Sequence, residues 1–383
     1  MIYLTLKQTR KPRQLSWEDV FYDRVVLNDL TSPNNGFATA TVTRKFETIH
    51  PELLEKINVQ GMIEWLKRFV ENNRQLYECP RQELYHTFKI PKKTGGYREI
   101  NAPCDSLQTA LRQLSNFLTE DCGMLYHTSA FAYVKGRSTV DCVKKHQTNK
   151  SQWFLKTDFS GFFPNTTLDF VMKMMKLIFP MSEVCKTQEG YHALYKALSL
   201  GFLKGGLPQG TCLSPTLTNI FMIPIDYTLF NALAKRKIVY TRYADDIHVS
   251  AVERFPYKDI IKLIKDTLEV FGAPYEIKKE KTHFGSRSGK NWNLGLMLNK
   301  DNEITVGATK KRFFKAALCS FVLDTINKKY WTLEDVQTLQ GQLAYYRMVE
   351  RKYFDNIIDQ QNKKWHVDIM KLIHMYLEGT LAA

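Results

Sequence analysis

The sequence predicts an α+β fold, in which strand patterns and helix patterns occupy different stretches of the chain. Strand patterns on both sides of Asp245-Asp246 predict one hairpin, and a second hairpin pattern runs over 88–103. From Thr309 onward the pattern is mostly helical. The 383 residues are enough for two to three domains or one multi-lobed domain, and 44% hydrophobic residues can build a sizeable core.

The predicted elements follow from apolar spacing and from turn residues along the chain. Over 60–74 apolar residues recur at helical spacing, and 31–36 has the composition of an exposed loop. The remaining predictions are strands over 88–91 and 97–100, a helix around 106–119, a strand over 153–158, a helix from Thr166 or Thr167 to about Phe179, a helix opened by Ser214-Pro215 and bent near Pro224, a helix over 257–271 ended by Gly272, and strands over 292–298 and 303–306.

The composition limits the class of protein. A formal net charge of +15 favours a polyanionic partner, most simply nucleic acid, although a merely basic protein has the same charge. The seven cysteines are scattered without a zinc-binding spacing. No apolar run approaches the ~20 residues of a transmembrane helix. We therefore expect a soluble, cytoplasmic protein with reduced thiols and no membrane partner.

Asp245 and Asp246 stand at the tip of the hairpin predicted for 238–251. Two like charges in a tight bend repel each other unless a counter-ion is present, and a hard divalent cation is the obvious one. An acidic surface turn is the alternative for this pair. Asp158 ends the strand predicted for 153–158, so three carboxylates meet at one sheet edge if the strands are neighbours. Such a set can hold two Mg²⁺ ions for phosphoryl transfer, whereas a surface acid is the alternative for Asp158.

Two loops carry residue types that suit nucleotide contacts. The stretch 92–98 combines glycines, which allow a tight turn, with Lys and Arg, which bind polyphosphate. An ordinary basic hairpin tip is the alternative. The stretch 206–211 precedes a helix and presents the amide of Gln209 to a base or sugar, or it is a plain helix-entry loop.

Three strings in this order resemble the palm motifs of a reverse transcriptase: Asp158-Phe159-Ser160-Gly161-Phe162-Phe163, Leu207-Pro208-Gln209-Gly210 and Tyr243-Ala244-Asp245-Asp246. The chain is similar to the bacterial group, which comprises retron, group II intron-derived and phage-defence enzymes. Supporting strings similar to this family lie at 90–98, 131–138, 280–282 and 293–296. The resemblance covers about 88–307.

The resemblance implies a role for each matched position. Asp158, Asp245 and Asp246 would be the metal carboxylates, and Phe159 would lend a backbone carbonyl to the second metal. Lys92 and Arg98 would bind the triphosphate, with Lys93 as a substitute for Lys92, and Phe163 would exclude a ribose 2′-hydroxyl. Gln209 would contact the incoming nucleotide or the template, and Lys281 would donate a proton to pyrophosphate. Primer or template contacts would come from Tyr243, Ala244 and Gly295. Core packing, loop capping and a solvated face are the respective alternatives for Phe163, Gln209 and Lys281.

The resemblance also implies a right-hand polymerase fold with fingers, an antiparallel-sheet palm and a helical thumb. On this basis 1–80 is predicted to be a largely helical N-terminal extension, 81–307 the fingers and palm, and 308–383 the thumb. No maturase or endonuclease segment is recognised after the thumb.

The implied activity is RNA-directed DNA synthesis: two Mg²⁺ ions, or Mn²⁺ in their place, drive addition of dNTPs to a primer 3′-hydroxyl on an RNA template. The implied biology is antiphage defence with a noncoding RNA, and an oligomer or a partner protein stays open. Two alternatives remain at this point. One is a template-independent or primer-independent nucleotidyl transferase on the same palm, and the other is a catalytically idle scaffold that binds RNA.

Overall fold

The computed structural model describes residues 57–380, apart from 93–94, 123, 125 and 290–292, together with the backbone of two strands nearer the N-terminus. The strands are β1 Asp23–Asn28, β2 Thr41–Phe46, β3 Tyr85–Pro91, β4 Tyr97–Pro103, β5 Trp153–Ser160, β6 Val239–Tyr243, β7 Asp246–Ala251, β8 Glu276–Ile277, β9 His283–Ser286, β10 Met297–Leu298 and β11 Ile304–Thr305.

The helices are α1 Val59–Asn72, α2 Arg74–Glu78, α3 Asp105–Asn116, α4 Thr139–Thr148, α5 Phe162–Asn165, α6 Leu168–Met175, α7 Met181–Val184, α8 Gln188–Ser199, α9 Leu213–Phe221, α10 Ile223–Ala234, α11 Tyr257–Phe271, α12 Ala308–Ile326, α13 Leu333–Trp365 and α14 Ile369–Leu377. None of the described helices is both long and apolar enough to cross a membrane.

Two compact units divide the chain. The first contains Leu155–Phe284 and the residues up to Ser138, and the second contains Thr139–Phe154 and Gly285–Ala383. The boundary predicted at 308 therefore lies inside the second unit. This unit also includes α4, whose Gln147 exchanges hydrogen bonds of 2.8 and 2.9 Å with Asn302 near β11. Such a contact joins residues far apart in sequence, so local patterning could not predict it.

The N-terminal stretch contains a hairpin that the sequence analysis did not predict. Strands β1 and β2 pair antiparallel from Asp23↔Phe46 to Asn28↔Thr41. The helix predicted over 60–74 is confirmed as α1, which buries Met62, Ile63, Leu66 and Phe69. The loop predicted over 31–36 lies outside the described residues.

The central sheet of the first unit has the strand order β6-β7-β5-β8, and β9 also pairs with β5. Strands β6 and β7 form the predicted hairpin, in which Tyr243 pairs with Asp246 across a two-residue turn. On the other side of β5, Phe159 pairs with Ile277 of β8. Strand β5 is therefore central, and residues of β7 and β8 flank it.

Sequence signals for caps and breaks in the helices of the first unit are found in the structure, although not every predicted helix end is. Thr167 caps α6 by accepting a hydrogen bond from the Phe170 N–H, and Gly272 ends α11 in a left-handed conformation with φ of 64°. The predicted bend near Pro224 is a break: α9 ends at Phe221 and α10 starts at Ile223. Helix α6 ends at Met175, before the predicted Phe179, which precedes a proline and so disfavours helical backbone.

The predicted hairpin over 88–103 is confirmed as β3 and β4, with Ile90 paired to Arg98. Its turn is closed by a 2.9 Å hydrogen bond from the Lys92 N–H to the Gly96 carbonyl. Gly95 and Gly96 have φ of 89° and 76°, which glycine adopts without strain. Lys93, within this turn, lies outside the described residues.

The second unit is built mainly from α12, α13 and α14, as the helical pattern after Thr309 predicted. Its apolar cluster includes Phe314, Phe321, Phe354 and Ile373, each at most 1% exposed. The strands predicted over 292–298 and 303–306 are shorter, because β10 and β11 pair only at Met297↔Thr305 and Leu298↔Ile304. Trp292 lies outside the described residues.

Candidate active site

The sheet brings the predicted acidic residues to neighbouring strands. Asp158 lies in β5, Asp246 begins β7 beside it, and Asp245 occupies the turn between β6 and β7. The Phe159 N–H donates a 3.1 Å hydrogen bond to the carbonyl of Asp245, which joins β5 directly to this turn. Ala244 has a φ of 56°, a left-handed conformation that tightens the bend. The turn therefore carries its carboxylates against the strand that carries Asp158.

Two lysines bind the carboxylate of Asp158, whose residue is only 3% exposed. The Nζ atom of Lys278 donates to Oδ1 at 2.6 Å, and the Nζ atom of Lys281 donates to Oδ2 at 2.7 Å. Lys281 was predicted from its motif, whereas Lys278 was missed. The signal for Lys278 was its position directly after β8, which becomes informative only once β8 is known to pair with β5.

Lys156 is a third cation near the acidic group, and sequence reasoning missed it as well. Its Nζ lies 3.8 Å from Oδ1 of Asp246. It stands two residues before Asp158 in β5, so the two side chains share one face of the strand. This alternation of Lys and Asp was visible in the sequence, but the neighbouring strand that gives it meaning was not.

The pKa values of Asp245 and Asp246 reflect burial first and neighbouring charge second. Burial raises the pKa of Asp245, and the charge of Asp158 raises it further. Burial likewise raises the pKa of Asp246, with Lys156 opposing and Asp158 adding to the rise. For Lys281, the hydrogen bond to Asp158 raises the pKa of the ammonium. A bound cation would relieve the repulsion among these carboxylates.

The donor set suits a divalent cation. Asp158, Asp245 and Asp246 offer carboxylate oxygens, which are the ligands that Mg²⁺ prefers, from two adjacent strands. As the side chains stand, no group of three or more His, Cys, Asp or Glu among the described residues is arranged to hold a metal ion. Both oxygens of Asp158 accept ammonium groups, one from Lys278 and one from Lys281.

A cleft of about 920 Å³ opens beside the acidic turn. Asp245 and Lys281 line it together with the four residues predicted to bind the nucleotide, which are Lys92, Arg98, Phe163 and Gln209. Lys204 and Lys278 add further positive charge to its wall. A cleft that combines one acidic corner with several cations fits a ligand that carries phosphate groups and divalent cations.

The 207–210 loop is held against both the β3–β4 hairpin and the start of α5. The Asn101 N–H donates to the Gln209 carbonyl at 2.7 Å, and the Leu207 N–H donates to the Phe163 carbonyl at 3.0 Å. Gly206 is required for this approach, since a Cβ atom there would lie 2.0 Å from the Pro164 carbonyl oxygen. The loop thereby places Gln209 and Phe163 on the same cleft.

Phe162 and Phe163 lie in different surroundings although they are adjacent. Phe162 is 3% exposed and packs 4.9 Å from the ring of Tyr275, measured between ring centroids. Phe163 is half-buried and lines the cleft. The side chain of Phe159 is fully buried. Phe162 also borders the cleft but is almost fully buried, so Phe163 is the most accessible of these three aromatic side chains.

Gly295 belongs to the second unit, where Asn293 and Leu296 form an isolated antiparallel bridge. Leu294 and Gly295 both have positive φ, as a tight two-residue turn requires. The Nζ atom of Lys310 donates to the Gly295 carbonyl at 2.7 Å. The described contacts of Gly295 thus lie within its own unit.

The fold and the site together define a polymerase-type nucleotidyl transferase, with paired carboxylates on an antiparallel sheet beside a basic cleft. The chain belongs to the reverse transcriptase (RNA-dependent DNA polymerase) family, which it matches over residues 90–366. It is thus an RNA-directed DNA polymerase with the right-hand α+β fold of that family, as the sequence predicted. Enzymes of this family generally use divalent metal ions.

Two retron enzymes of Escherichia coli are among the similar proteins. The retron Ec83 reverse transcriptase is 27% identical over 303 residues, which are 77% of this chain and 91% of that protein. The retron Ec73 reverse transcriptase is 29% identical over 286 residues, which are 71% of this chain and 88% of that protein. These similarities support a bacterial retron-type enzyme.

One similar solved structure is telomerase from Candida albicans in complex with a fragment of telomeric RNA. It aligns with a TM-score of 0.43 and 13% sequence identity, over 77% of this chain and 59% of that one.

Proposed function

We propose that the chain extends a primer 3′-hydroxyl with dNTPs on an RNA template, with two Mg²⁺ ions held by Asp158, Asp245 and Asp246 and by the backbone carbonyl of Phe159. Mn²⁺ is the expected substitute. The observation that carries this proposal is the pairing of β5 with the hairpin that bears the acidic turn, at the edge of a basic cleft. Bound divalent ions would activate the attacking hydroxyl and stabilise the leaving oxygen.

The cleft offers a role for each nucleotide-binding residue. We assign Lys92 and Arg98 to the triphosphate, since both are exposed cations on its wall. Gln209 would contact the incoming nucleotide or the template through its amide. Phe163 would exclude a ribose 2′-hydroxyl by steric contact, for which its half-buried position on the cleft is suited.

We assign the proton donor for pyrophosphate to Lys281. Its ammonium donates to Asp158 at 2.7 Å and lines the cleft, so a proton donor stands beside the acidic group on the wall that would face a departing phosphate oxygen. Tyr243 and Ala244 would contact the primer terminus from the hairpin, and Gly295 would contact primer or template.

The biological role we propose is synthesis of DNA from a dedicated noncoding RNA in cytoplasmic antiphage defence. The similarity to retron enzymes and the net charge of +15 support an RNA partner. The geometry of the acidic turn is equally compatible with a transferase that needs no template, so the decisive test must read the product sequence.

The test is to purify the chain with its bound nucleic acid, sequence that nucleic acid, and add dNTPs with Mg²⁺. The wild type should make DNA complementary to the bound RNA, and Asp245→Asn should lose at least ~10³-fold of the rate, because a metal ligand supplies several kcal/mol to the transition state. Asp266→Asn, on the surface of α11 in an ion pair with Lys262, is the matched control and should retain activity.

Each contrary result favours a different reading. DNA from Asp245→Asn at the wild-type rate, or no DNA from the wild type with its native RNA, would refute the catalytic assignment. A product that copies no bound RNA would favour the template-independent transferase. Bound RNA without any product would favour the idle scaffold.

A further inference from the structure

A fully buried ion pair lies directly behind the acidic turn. Arg242 of β6 and Asp226 of α10 are both 0% exposed. The guanidinium donates from Nε to Asp226 Oδ1 at 2.8 Å and from Nη2 to Oδ2 at 2.7 Å, and the Tyr240 hydroxyl donates to the same carboxylate at 2.7 Å. Helix α10 therefore fixes the plane of the guanidinium.

The same guanidinium also reaches the turn. Its Nη1 donates a 3.1 Å hydrogen bond to the carbonyl of Ala244, the residue with φ of 56° that precedes Asp245. A non-glycine residue in this region is strained and persists only where its surroundings hold it. Arg242, which is fully buried and does not line the cleft, supplies such a constraint through this hydrogen bond.

Asn219 of α9 extends the network to a second strained residue. Its Oδ1 accepts from Arg242 Nη2 at 3.3 Å, and its Nδ2 donates to the Ala132 carbonyl at 2.8 Å. The next residue, Tyr133, has a φ of 59° and is 57% exposed. Tyr133 and Asp245 line a cavity of about 400 Å³ together with Phe163 and Gln209.

Stability alone does not account for this arrangement. Replacing a buried ion pair by apolar side chains is often neutral or stabilising, because desolvation of the charges offsets their attraction. A planar guanidinium differs from such a replacement in that it bonds several acceptors in fixed directions. Here the acceptors are Asp226 on helix α10, the Ala244 carbonyl in the turn, and Asn219, which links the guanidinium to the segment of Ala132.

We propose that Arg242 and Asn219 are positioning residues, which hold the turn of Asp245 and the segment of Tyr133 in a fixed relation across the cavity. This inference rests on the proposed function, since it assigns the two residues to the same polymerase site. Arg242 sets the position of the carboxylate and so governs the chemical step. Asn219 sets the position of Tyr133, which lines the cavity opposite Asp245, and so would govern nucleotide binding there.

Two conservative variants separate the two effects. Arg242→Lys keeps the charge for Asp226 but replaces the rigid fork, which bonds that carboxylate and the Ala244 carbonyl in fixed directions, by a point charge on a flexible stem. The value of kcat should fall about 10- to 100-fold, with the dNTP KM within about threefold. Asn219→Asp keeps the oxygen that faces Arg242 and removes the donor to Ala132; the dNTP KM should rise about tenfold, with kcat within about threefold.

Thr228→Val is the matched control, because Thr228 is buried on α10 and bonds only locally, to the Pro224 carbonyl at 2.8 Å. It should lower the unfolding temperature without changing kcat or KM. If Arg242→Lys does not fold, Tyr240→Phe removes one hydrogen bond to Asp226 and should lower kcat about tenfold with KM unchanged. If Asn219→Asp does not fold, Asn219→Ser should raise KM in its place.

Asp245→Asn is assayed in parallel, so the two proposals can fail separately. An inactive Asp245→Asn together with wild-type kcat and KM in the folded Arg242 and Asn219 variants would overturn the positioning role and leave the proposed function standing. The positioning role would also be overturned if kcat and KM worsened together in every variant, Thr228→Val included, in proportion to the fall in unfolding temperature. That result would mean that stability alone governs activity.

Discussion

The two compact units handle charged side chains in opposite ways. In the first unit, Asp158, Asp226 and Arg242 are at most 3% exposed, and each is bonded to an opposite charge. In the second unit, no Asp, Glu, Lys or Arg among the described residues is buried, and the buried polar side chains, such as Gln361, are accompanied by a large apolar and aromatic cluster. One unit therefore holds charges at defined distances, whereas the other stabilises helices by burying apolar area.

The difference teaches where each unit is sensitive. Buried charges add little net stability, because desolvation offsets their attraction, but they fix geometry. Buried apolar side chains add stability in proportion to the area removed from water. Substitutions at the charged site of the first unit should therefore alter catalysis and selection, and substitutions of buried apolar side chains, as in the core of the second unit, should alter the free energy of unfolding.

The largest expected effect on stability lies in the second unit. Phe321 is 0% exposed and contacts the rings of Trp331 and Tyr376. Phe321→Ala should lower the free energy of unfolding by about 3–5 kcal/mol, measured by denaturant titration, because it leaves a cavity. Phe313→Ala is the matched control on the same helix, since Phe313 is 71% exposed and should change stability by less than about 0.5 kcal/mol. Similar losses for both would contradict the packing argument.

The next effect tests selection in the first unit. Phe163→Ala should admit ribonucleotides and reduce the preference for dNTP over rNTP about 10- to 100-fold, measured as the ratio of kcat/KM values. Phe162→Ala, its buried neighbour, should instead lower the unfolding temperature and leave the preference intact. An unchanged preference in Phe163→Ala would remove this residue from the role of sugar gate.

A smaller effect concerns Glu350, a half-buried charged side chain in the second unit. Glu350 interrupts the helical backbone of α13 with φ of −137° and ψ of 62°, and its carboxylate bonds Lys311, Thr305 and the Val306 N–H. Glu350→Gln should lower the free energy of unfolding by about 1–3 kcal/mol, because it leaves a charged partner unpaired. Glu334→Gln, exposed in the first turn of the same helix, is the control. Equal free energies of unfolding for the two variants would show that the charge of Glu350 adds no stability.

The smallest effect is a pH dependence of stability in the presence of EDTA. Burial and Asp158 raise the pKa of Asp245 above its unfolded value, so its contribution to stability is present below that value, near 3.9, and is lost as pH rises through the folded value. Asp245→Asn should therefore unfold at a slightly higher temperature than the wild type at neutral pH, with the difference vanishing in acid. A difference that does not vary with pH would contradict this reading.

Local patterns predicted most of the elements near the site. The hairpin at Asp245-Asp246, the strand of Asp158 and the helix over 257–271 depend on neighbouring residues, namely β-branched runs, turn residues and a glycine cap. The sequence did not predict β1 and β2, the division of the chain at Gly285, or the place of α4 in the second unit. These depend on contacts between residues that are distant in the chain.

The same division applies to the site residues. Asp158, Asp245, Asp246, Phe163 and Gln209 could be singled out from short strings. Lys156 and Lys278 could not, because each gains its meaning only from the strand beside it. Arg242 and Asn219 were hidden for the same reason, since a polar residue inside an apolar run shows no partner until helix and strand are packed together.

The sequence by itself determined the class of chemistry, because the order and spacing of three acidic and loop strings carry it. The tertiary structure decided which side chains surround the carboxylates: two lysines on Asp158, a third near Asp246, and a buried guanidinium behind the turn. The physical reason is that hydrogen bonds and ion pairs act over a few ångströms in space. Strand pairing and helix packing set those distances, and they join Asp158 to Lys281 across 123 positions and Gln147 to Asn302 across 155.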